Sequence, residues 1–173
     1  MRIRFYNARV LTMDGDMGVD WGEVWVEGNR IVYVGDGNEL KSDENGGNSD
    51  GTWVWDREID VEGNLIMPGF ANAHTHSAMT FLRSYADDLP LQEWLQKQVF
   101  PMEAKLTGED IYDLSKLAIL EYLTSGITSN FDMYFQPEMI ARASVDCGFR
   151  TILVSSLNNF TSSLEDMERE YQE

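Results

Sequence analysis

Short apolar runs alternate with turn residues over the first third of the chain, and this pattern predicts antiparallel β-strands. Asn7–Ala8 predicts a turn between the first two runs, and Gly28–Asn29 predicts a hairpin turn because both residues tolerate a positive φ. Glu62–Asn64 predicts a further turn before the apolar run Leu65–Phe70. The six runs before that turn are Ile3–Phe5, Val10–Met13, Glu23–Val26, Ile31–Val34, Trp53–Trp55 and Glu58–Val61. Between them, Gly35–Gly51 is polar and predicts a solvated loop.

Beyond Pro68 the pattern changes to alternating helices and strands. Apolar residues recur at helical spacing over Leu91–Val99, where we expect Trp94 to pack in the core. Thr107 and Asp110 form a capping box for a longer helix that Gly126 ends. Its apolar stripe comprises Ile111, Leu114, Ala118 and Tyr122. These signals predict amphipathic helices packed against strands.

The remaining elements repeat the same alternation. A strand over Ile127–Tyr134 precedes a helix that begins at Pro137 and ends at Gly148. A strand over Thr151–Val154 follows, and Ser162 with Glu165 predicts a last helix. Repeated strand and helix units predict an α/β fold with a parallel sheet.

An eight-stranded β/α barrel of the TIM type needs about 250 residues. The sequence therefore predicts the N-terminal part of such a barrel, with about three of its strands. We expect residues 1–65 to form a separate β-rich part and residues 66–173 to form the first β/α units of an incomplete barrel.

The composition excludes several classes of function. Thirteen Lys and Arg against 30 Asp and Glu give a formal charge of −17, which disfavours binding to nucleic acid or to anionic lipid. We find no apolar run of about 20 residues and no signal peptide, so we expect a cytoplasmic protein. Cys147 is the single cysteine, which excludes internal disulfides and thiolate metal clusters.

The two histidines of the chain, His74 and His76, lie two residues apart after an apolar strand. Residues i and i+2 of a strand face the same way, so both imidazoles can hold one metal ion. The alternative is two neighbouring histidines without a shared ligand. The metal interpretation is favoured because active sites of parallel barrels lie at the carboxyl ends of the strands.

Two imidazoles do not complete a catalytic metal site, which usually has about three protein ligands and an open position for water. Asp132 is a candidate third ligand, although it is equally typical of a polar residue at a strand end. Cys147 lies at a predicted helix end. We expect the remaining ligands from residues beyond Glu173, so that this chain alone is inactive.

A longer motif resembles the amidohydrolase superfamily, in the branch of the 5-methylthioadenosine/S-adenosylhomocysteine deaminases and the triazine chlorohydrolases. The resemblance covers residues from Met67 to about Leu157. The matching segments are Met67–His76, Leu82–Arg83, Ala86–Leu89, Glu93–Leu95, Pro101–Glu103, Gly126–Thr128 and Phe131–Phe135.

The resemblance implies one divalent ion, zinc or alternatively iron, held by His74, His76 and ligands from later strands. The ion would activate water to release ammonia from a purine-like substrate, with the catalytic acid and base supplied by later strands, beyond Glu173. Glu103 matches the carboxylate that accepts hydrogen bonds from ribose hydroxyls; without the resemblance it is an ordinary helix-end glutamate. In this family the N-terminal strands form half of a small β-sandwich beside the barrel, and the resemblance implies that arrangement for residues 1–65. The sequence leaves the oligomeric state open, with a homo-oligomer as one alternative.

The chain departs from the deaminases after its third barrel strand. Those enzymes carry arginines there, whereas this chain has Ser155, Ser156 and Asn158–Phe160. A carboxylate tail would lack a charge-assisted partner, so S-adenosylhomocysteine is disfavoured as a substrate. The alternatives are a chlorohydrolase, a guanine deaminase or another cyclic amide hydrolase of the superfamily, and a catalytically inactive binding or assembly module.

Overall fold

Two units make up the chain in the computed structural model, Met1–Pro68 and Gly69–Glu173. The structure describes residues 1–15, 18–37, 53–85, 88–154, 163–165 and 168–169. Within these residues, we find no helix with the length and apolar character needed to cross a membrane. Most of the polar segment Gly35–Gly51 and the start of the predicted last helix, Ser162, lie outside the described residues.

The first unit is built on one five-stranded sheet. Its strands are β1 (Arg2–Val10), β2 (Asp20–Glu27), β3 (Arg30–Gly35), β4 (Arg57–Asp60) and β5 (Leu65–Ile66). The order is β3-β2-β1-β4, with β5 also paired to β1. β1 to β3 are antiparallel as predicted, whereas β4 and β5 run parallel to β1. The prediction of a wholly antiparallel arrangement was therefore wrong.

Asn7 does not reverse the chain. β1 continues through it, and the pairing with β2 shifts register between Phe5 and Ala8. Asn7 has a φ of 55°, which asparagine tolerates, so the residue forms a bulge in one strand where the sequence predicted a turn between two. The hairpin between β2 and β3 lies where it was predicted, with Gly28 at a φ of 62°; Asn29 is not in the positive region.

Aromatic packing replaces the strand predicted at Trp53–Trp55, where no strand forms. The rings of Trp53 and Trp55 stack on each other at 5.3 Å, and both contact the buried ring of Trp25. Tyr33 adds a fourth ring, at 4.5 Å from Trp25. Aromatic residues favour strands and packed surfaces alike, so the sequence pattern could not distinguish the two.

The second unit contains a parallel sheet in the order β6-β7-β8, as expected for the start of a barrel. The strands are β6 (Phe70–Thr75), β7 (Ile127–Met133) and β8 (Arg150–Val154). Helices α3 (Gly108–Thr124) and α4 (Pro137–Cys147) connect them. The capping box of Thr107 and Asp110, the start at Pro137 and the left-handed Gly148 at the end of α4 were all predicted correctly.

A continuous helical run precedes α3. It comprises α1 (Leu91–Trp94), a π-helical segment (Leu95–Val99) and α2 (Phe100–Glu103), and so extends beyond the predicted end at Val99. A 3-10 helix, Ser77–Leu82, follows β6. Ala78 of that helix packs against Ile111, Ile140 and Tyr134 to form the main core cluster. This cluster lies directly beside the residues that follow β6 and β7.

Candidate active site

The histidine pair lies at the carboxyl end of β6. That strand begins only at Phe70, so His74 belongs to its last residues and His76 follows Thr75 directly. The run Leu65–Phe70, which the sequence predicted as the buried preceding strand, instead contributes β5 and one residue of β6. Most of β6 is exposed, and among the described residues it lies at the edge of its sheet and pairs with β7.

The two imidazoles converge. Their Nε2 atoms are 3.2 Å apart, and the ring planes are nearly perpendicular, at 88°. Two nitrogens bound to one tetrahedral zinc ion at 2.0–2.1 Å would lie about 3.3 Å apart. The spacing of this pair therefore fits two corners of a tetrahedral site.

A bulge contributes to this convergence. Asn72 pairs with Asn130 and Thr75 pairs with Asp132, so Ala73 and His74 of β6 together face one residue of β7. Thr75 points into the protein and is 6% exposed, whereas His74 is exposed. Simple alternation along a strand predicted that the histidines share a side, but it could not predict the bulge.

The Met133 carbonyl fixes the tautomer of His76. The carbonyl oxygen lies 2.7 Å from Nδ1, and because a carbonyl can only accept, Nδ1 carries the proton and donates it. The Nε2 lone pair then points toward His74 and is available to a metal. An outer hydrogen bond of this kind typically orients metal-binding imidazoles.

A buried polar network supports the chain on both sides of His76. The Asp132 carboxylate, 1% exposed, accepts a hydrogen bond from the Ser77 backbone N–H at 3.1 Å and another from the Asn130 amide. The same amide donates to the Thr75 hydroxyl at 2.9 Å. Asp132 thus anchors the residues next to the histidine pair.

The described residues bring no third ligand to the pair. Among residues 1–15, 18–37, 53–85, 88–154 and the short described pieces near the end, no group of three or more His, Cys, Asp or Glu side chains is arranged to hold a metal. Asp132 is engaged by Ser77 and Asn130, which favours the strand-end interpretation of this residue. Cys147 lies at the end of α4, where its thiol is free.

Glu103 lies at the end of α2 and is partly buried. Its Oε1 accepts a hydrogen bond of 2.7 Å from the hydroxyl of Tyr134. Burial raises the pKa of Glu103 above its ordinary value, and the Tyr134 hydroxyl and the nearby His76 offset this only in part. Burial and the Glu103 carboxylate both raise the pKa of Tyr134, which therefore remains a neutral donor.

A shallow cavity of about 330 Å³ adjoins His76. Trp94, Met79, Leu82 and Tyr122 are among the residues that line it. Trp94 is half-buried and lies in this wall, whereas the sequence predicted that it packs in the core. Arg83 and Glu121 form an exposed ion pair of 2.7 Å among the lining residues. The cavity gives the site one apolar wall.

Sequence reasoning missed two contributors to the site, Tyr134 and the Met133 carbonyl. Their position at the end of β7 is a signal that could have identified both, because active-site groups of a parallel barrel lie at the carboxyl ends of strands. Ser155, Ser156 and Asn158–Phe160, which were predicted to disfavour a carboxylate tail, lie outside the described residues.

Known proteins resemble this chain at the level of sequence and fold. The 5'-deoxyadenosine deaminase of Methanosarcina mazei is 45% identical over 152 residues, 87% of this chain and 32% of that protein. A 5-methylthioadenosine/S-adenosylhomocysteine deaminase of Caldicellulosiruptor saccharolyticus is 39% identical over 91% of this chain and 35% of its own length. The chain thus spans about a third of the length of these curated relatives.

A solved structure matches the same architecture. The adenosine deaminase of Xanthomonas campestris, determined with bound zinc, superposes with a TM-score of 0.73 and 31% identity over 87% of this chain and 32% of that protein. Residues 65–172 match the amidohydrolase family, a range that includes β6, β7, β8 and the histidine pair. The chain therefore belongs to the amidohydrolase family.

Proposed function

We propose that this chain supplies two metal ligands and part of the substrate site of a zinc-dependent hydrolytic deaminase that acts on adenosine-type nucleosides. The observation that carries the proposal is the convergence of the His74 and His76 Nε2 atoms at 3.2 Å. Hydrolysis at C6 of an adenine ring would replace the amino group by oxygen and release ammonia.

The residues divide this work between them. When bound, a zinc ion would lower the pKa of a coordinated water, so that hydroxide is available near neutral pH. His74 and His76 would hold the ion, and the Met133 carbonyl keeps His76 in the tautomer that can do so. Glu103 would accept hydrogen bonds from the ribose hydroxyls, and Trp94 would contribute an apolar wall.

The similar proteins support this choice of substrate class. Two relatives are deaminases of 5'-deoxyadenosine and of 5-methylthioadenosine or S-adenosylhomocysteine, and a solved relative is an adenosine deaminase with zinc. All three act on an adenine ring attached to ribose or a ribose derivative. Since the chain spans about a third of those proteins, the proposed activity belongs to the complete protein that carries it.

The test uses the complete protein. We expect about one zinc ion per subunit and release of ammonia from adenosine, 5'-deoxyadenosine and 5-methylthioadenosine. His76→Ala should weaken zinc binding by at least ~100-fold, because loss of an outer hydrogen-bond partner alone weakens metal binding by 10–100-fold. Atomic absorption and an ammonia assay measure the two effects.

Cys147→Ala is the matched control, because it removes a potential metal ligand that lies away from the histidine pair. It should leave zinc content and ammonia release unchanged. No ammonia from any of the three nucleosides, with zinc present, would refute the substrate class. Full zinc content in the His74→Ala, His76→Ala double variant would refute the metal site.

A further inference from the structure

The hydroxyl of Tyr134 is the single donor that the described residues place on the Glu103 carboxylate. We infer that Tyr134 is a positioning residue, which holds Glu103 in the orientation that receives the ribose hydroxyls of the substrate. The inference rests on the proposed function, because it assigns Glu103 a nucleoside ligand.

Tyr134 has a ring that packing holds in place. It is 4% exposed, stacks on Phe135 at a centroid distance of 4.2 Å and belongs to the core cluster with Ala78, Ile111 and Ile140. A buried aromatic side chain has few alternative rotamers. The hydroxyl is therefore a donor at a fixed point, which a flexible surface side chain could not provide.

Glu103, in contrast, has three rotatable bonds and ends a four-residue helix. A carboxylate offers about four lone-pair positions, and Tyr134 occupies one of them. The other oxygen and the remaining positions stay available to two neighbouring hydroxyls. A single fixed hydrogen bond thus orients the carboxylate without filling it.

The position of Tyr134 in the chain couples the two halves of the site. Met133 provides the carbonyl that holds His76, at 2.7 Å, and Tyr134, the next residue, provides the hydroxyl that holds Glu103, also at 2.7 Å. The end of β7 therefore sets the placement of the metal-binding imidazole and of the ribose-binding carboxylate together. This arrangement would fix the distance between the metal site and the carboxylate that binds the ribose.

The test is Tyr134→Phe in the complete zinc-loaded protein, assayed with adenosine and with 2',3'-dideoxyadenosine, which lacks both ribose hydroxyls. We expect KM for adenosine to rise about ten-fold, in line with the loss of one hydrogen bond to a charged group, while kcat changes less than about two-fold. KM for 2',3'-dideoxyadenosine should not change. A purely structural defect would affect both substrates alike.

Tyr112→Phe is the matched control, since it removes another tyrosine hydroxyl that donates to a carboxylate, Asp146, at 2.7 Å. This pair joins α3 to α4 away from the histidines, and its loss should leave both KM values unchanged. In a Glu103→Ala background, Tyr134→Phe should add no further increase in KM. An equal effect of Tyr134→Phe on both nucleosides, or no effect on either, overturns the inference.

If Tyr134→Phe does not fold, 3-fluorotyrosine at position 134 keeps the ring and changes the acidity of its hydroxyl. The ratio of KM values for the two nucleosides should then change, and an unchanged ratio overturns the inference. Wild-type protein that releases no ammonia from either nucleoside refutes the proposed function and this inference with it. If the wild-type protein is active and substitution at position 134 leaves both KM values unchanged, this inference alone is refuted.

Discussion

Two partly buried glutamates, one in each unit of the chain, have pKa values shifted in opposite directions. Burial raises the pKa of Glu23 in the first unit, but hydrogen bonds from Arg4 and from the Trp25 indole at 2.8 Å outweigh it, so the pKa lies below its ordinary value. Burial also raises the pKa of Glu103 in the second unit, and there the Tyr134 hydroxyl and His76 do not compensate.

The charge of the partner explains the difference. Arg4 is a permanent cation that meets Glu23 through two nitrogens, whereas Tyr134 is a neutral donor that meets Glu103 through one hydroxyl. The fold stabilises the charge of Glu23 and leaves that of Glu103 incompletely solvated. A carboxylate of the second kind can gain hydrogen bonds from a ligand, which is typical of functional sites.

Removing the cation should have the largest effect on stability. Arg4→Met leaves Glu23, whose side chain is 13% exposed, without its charged partner, and it also frees Glu58. We expect a loss of about 2–3 kcal/mol, between the values for exposed and fully buried ion pairs. Thermal melting of the complete protein measures it, and hydrogen exchange should locate the loss in β1 and β2. Unchanged protection there would contradict the expectation.

The pH dependence of Glu23 sharpens the comparison. Its folded pKa is lowered, so its contribution to stability is present above the unfolded pKa of about 4.3 and is lost as the pH falls through the folded value. Glu23→Gln should therefore cost about 1.5 kcal/mol at pH 7, where a charge-assisted hydrogen bond becomes neutral. The difference from wild type should shrink below pH ~4. Melting curves across this range check the sign, and a constant difference would contradict it.

The sequence predicted most of the structural features that neighbouring residues in the chain determine, such as helix ends. It predicted fewer of the features that depend on packing between distant residues. Gly148 and the capping box of Thr107 are such local signals, and both lie where they were predicted. Asn7 carried a turn signal, but pairing with β2 kept it inside a strand. Glu103 and Tyr134 are 31 positions apart, and only the tertiary fold brings the end of α2 to the residue that follows β7. No periodic pattern in the sequence links these two positions, so the contact could not be predicted from it.

Glu103→Gln should have a smaller effect of the opposite sign. The folded pKa of Glu103 is raised, so its charge reduces stability above that pKa, and the reduction disappears below the unfolded pKa of about 4.3. A neutral glutamine should stabilise the complete protein by up to about 1 kcal/mol at pH 7, while it weakens binding of ribose-containing substrates. Melting at pH 7 and pH 4 tests this, since the gain should be absent at pH 4. A loss of stability at pH 7 would mean that Tyr134 fully compensates the charge.

Glu58→Gln should have the smallest effect, although Glu58 contacts the same guanidinium as Glu23. Its carboxylate accepts from Arg4 Nη1 at 2.8 Å, but its side chain is 47% exposed, so water already solvates the charge. We expect a loss of less than about 0.5 kcal/mol, and 0.5 M salt should remove it because exposed ion pairs are screened. Glu23→Gln should keep most of its cost in the same salt. If salt reduced the stability loss equally in both variants, the difference in exposure between Glu58 and Glu23 would not determine how strongly their ion pairs are screened. Burial would then no longer explain the contrast between Glu23 and Glu103.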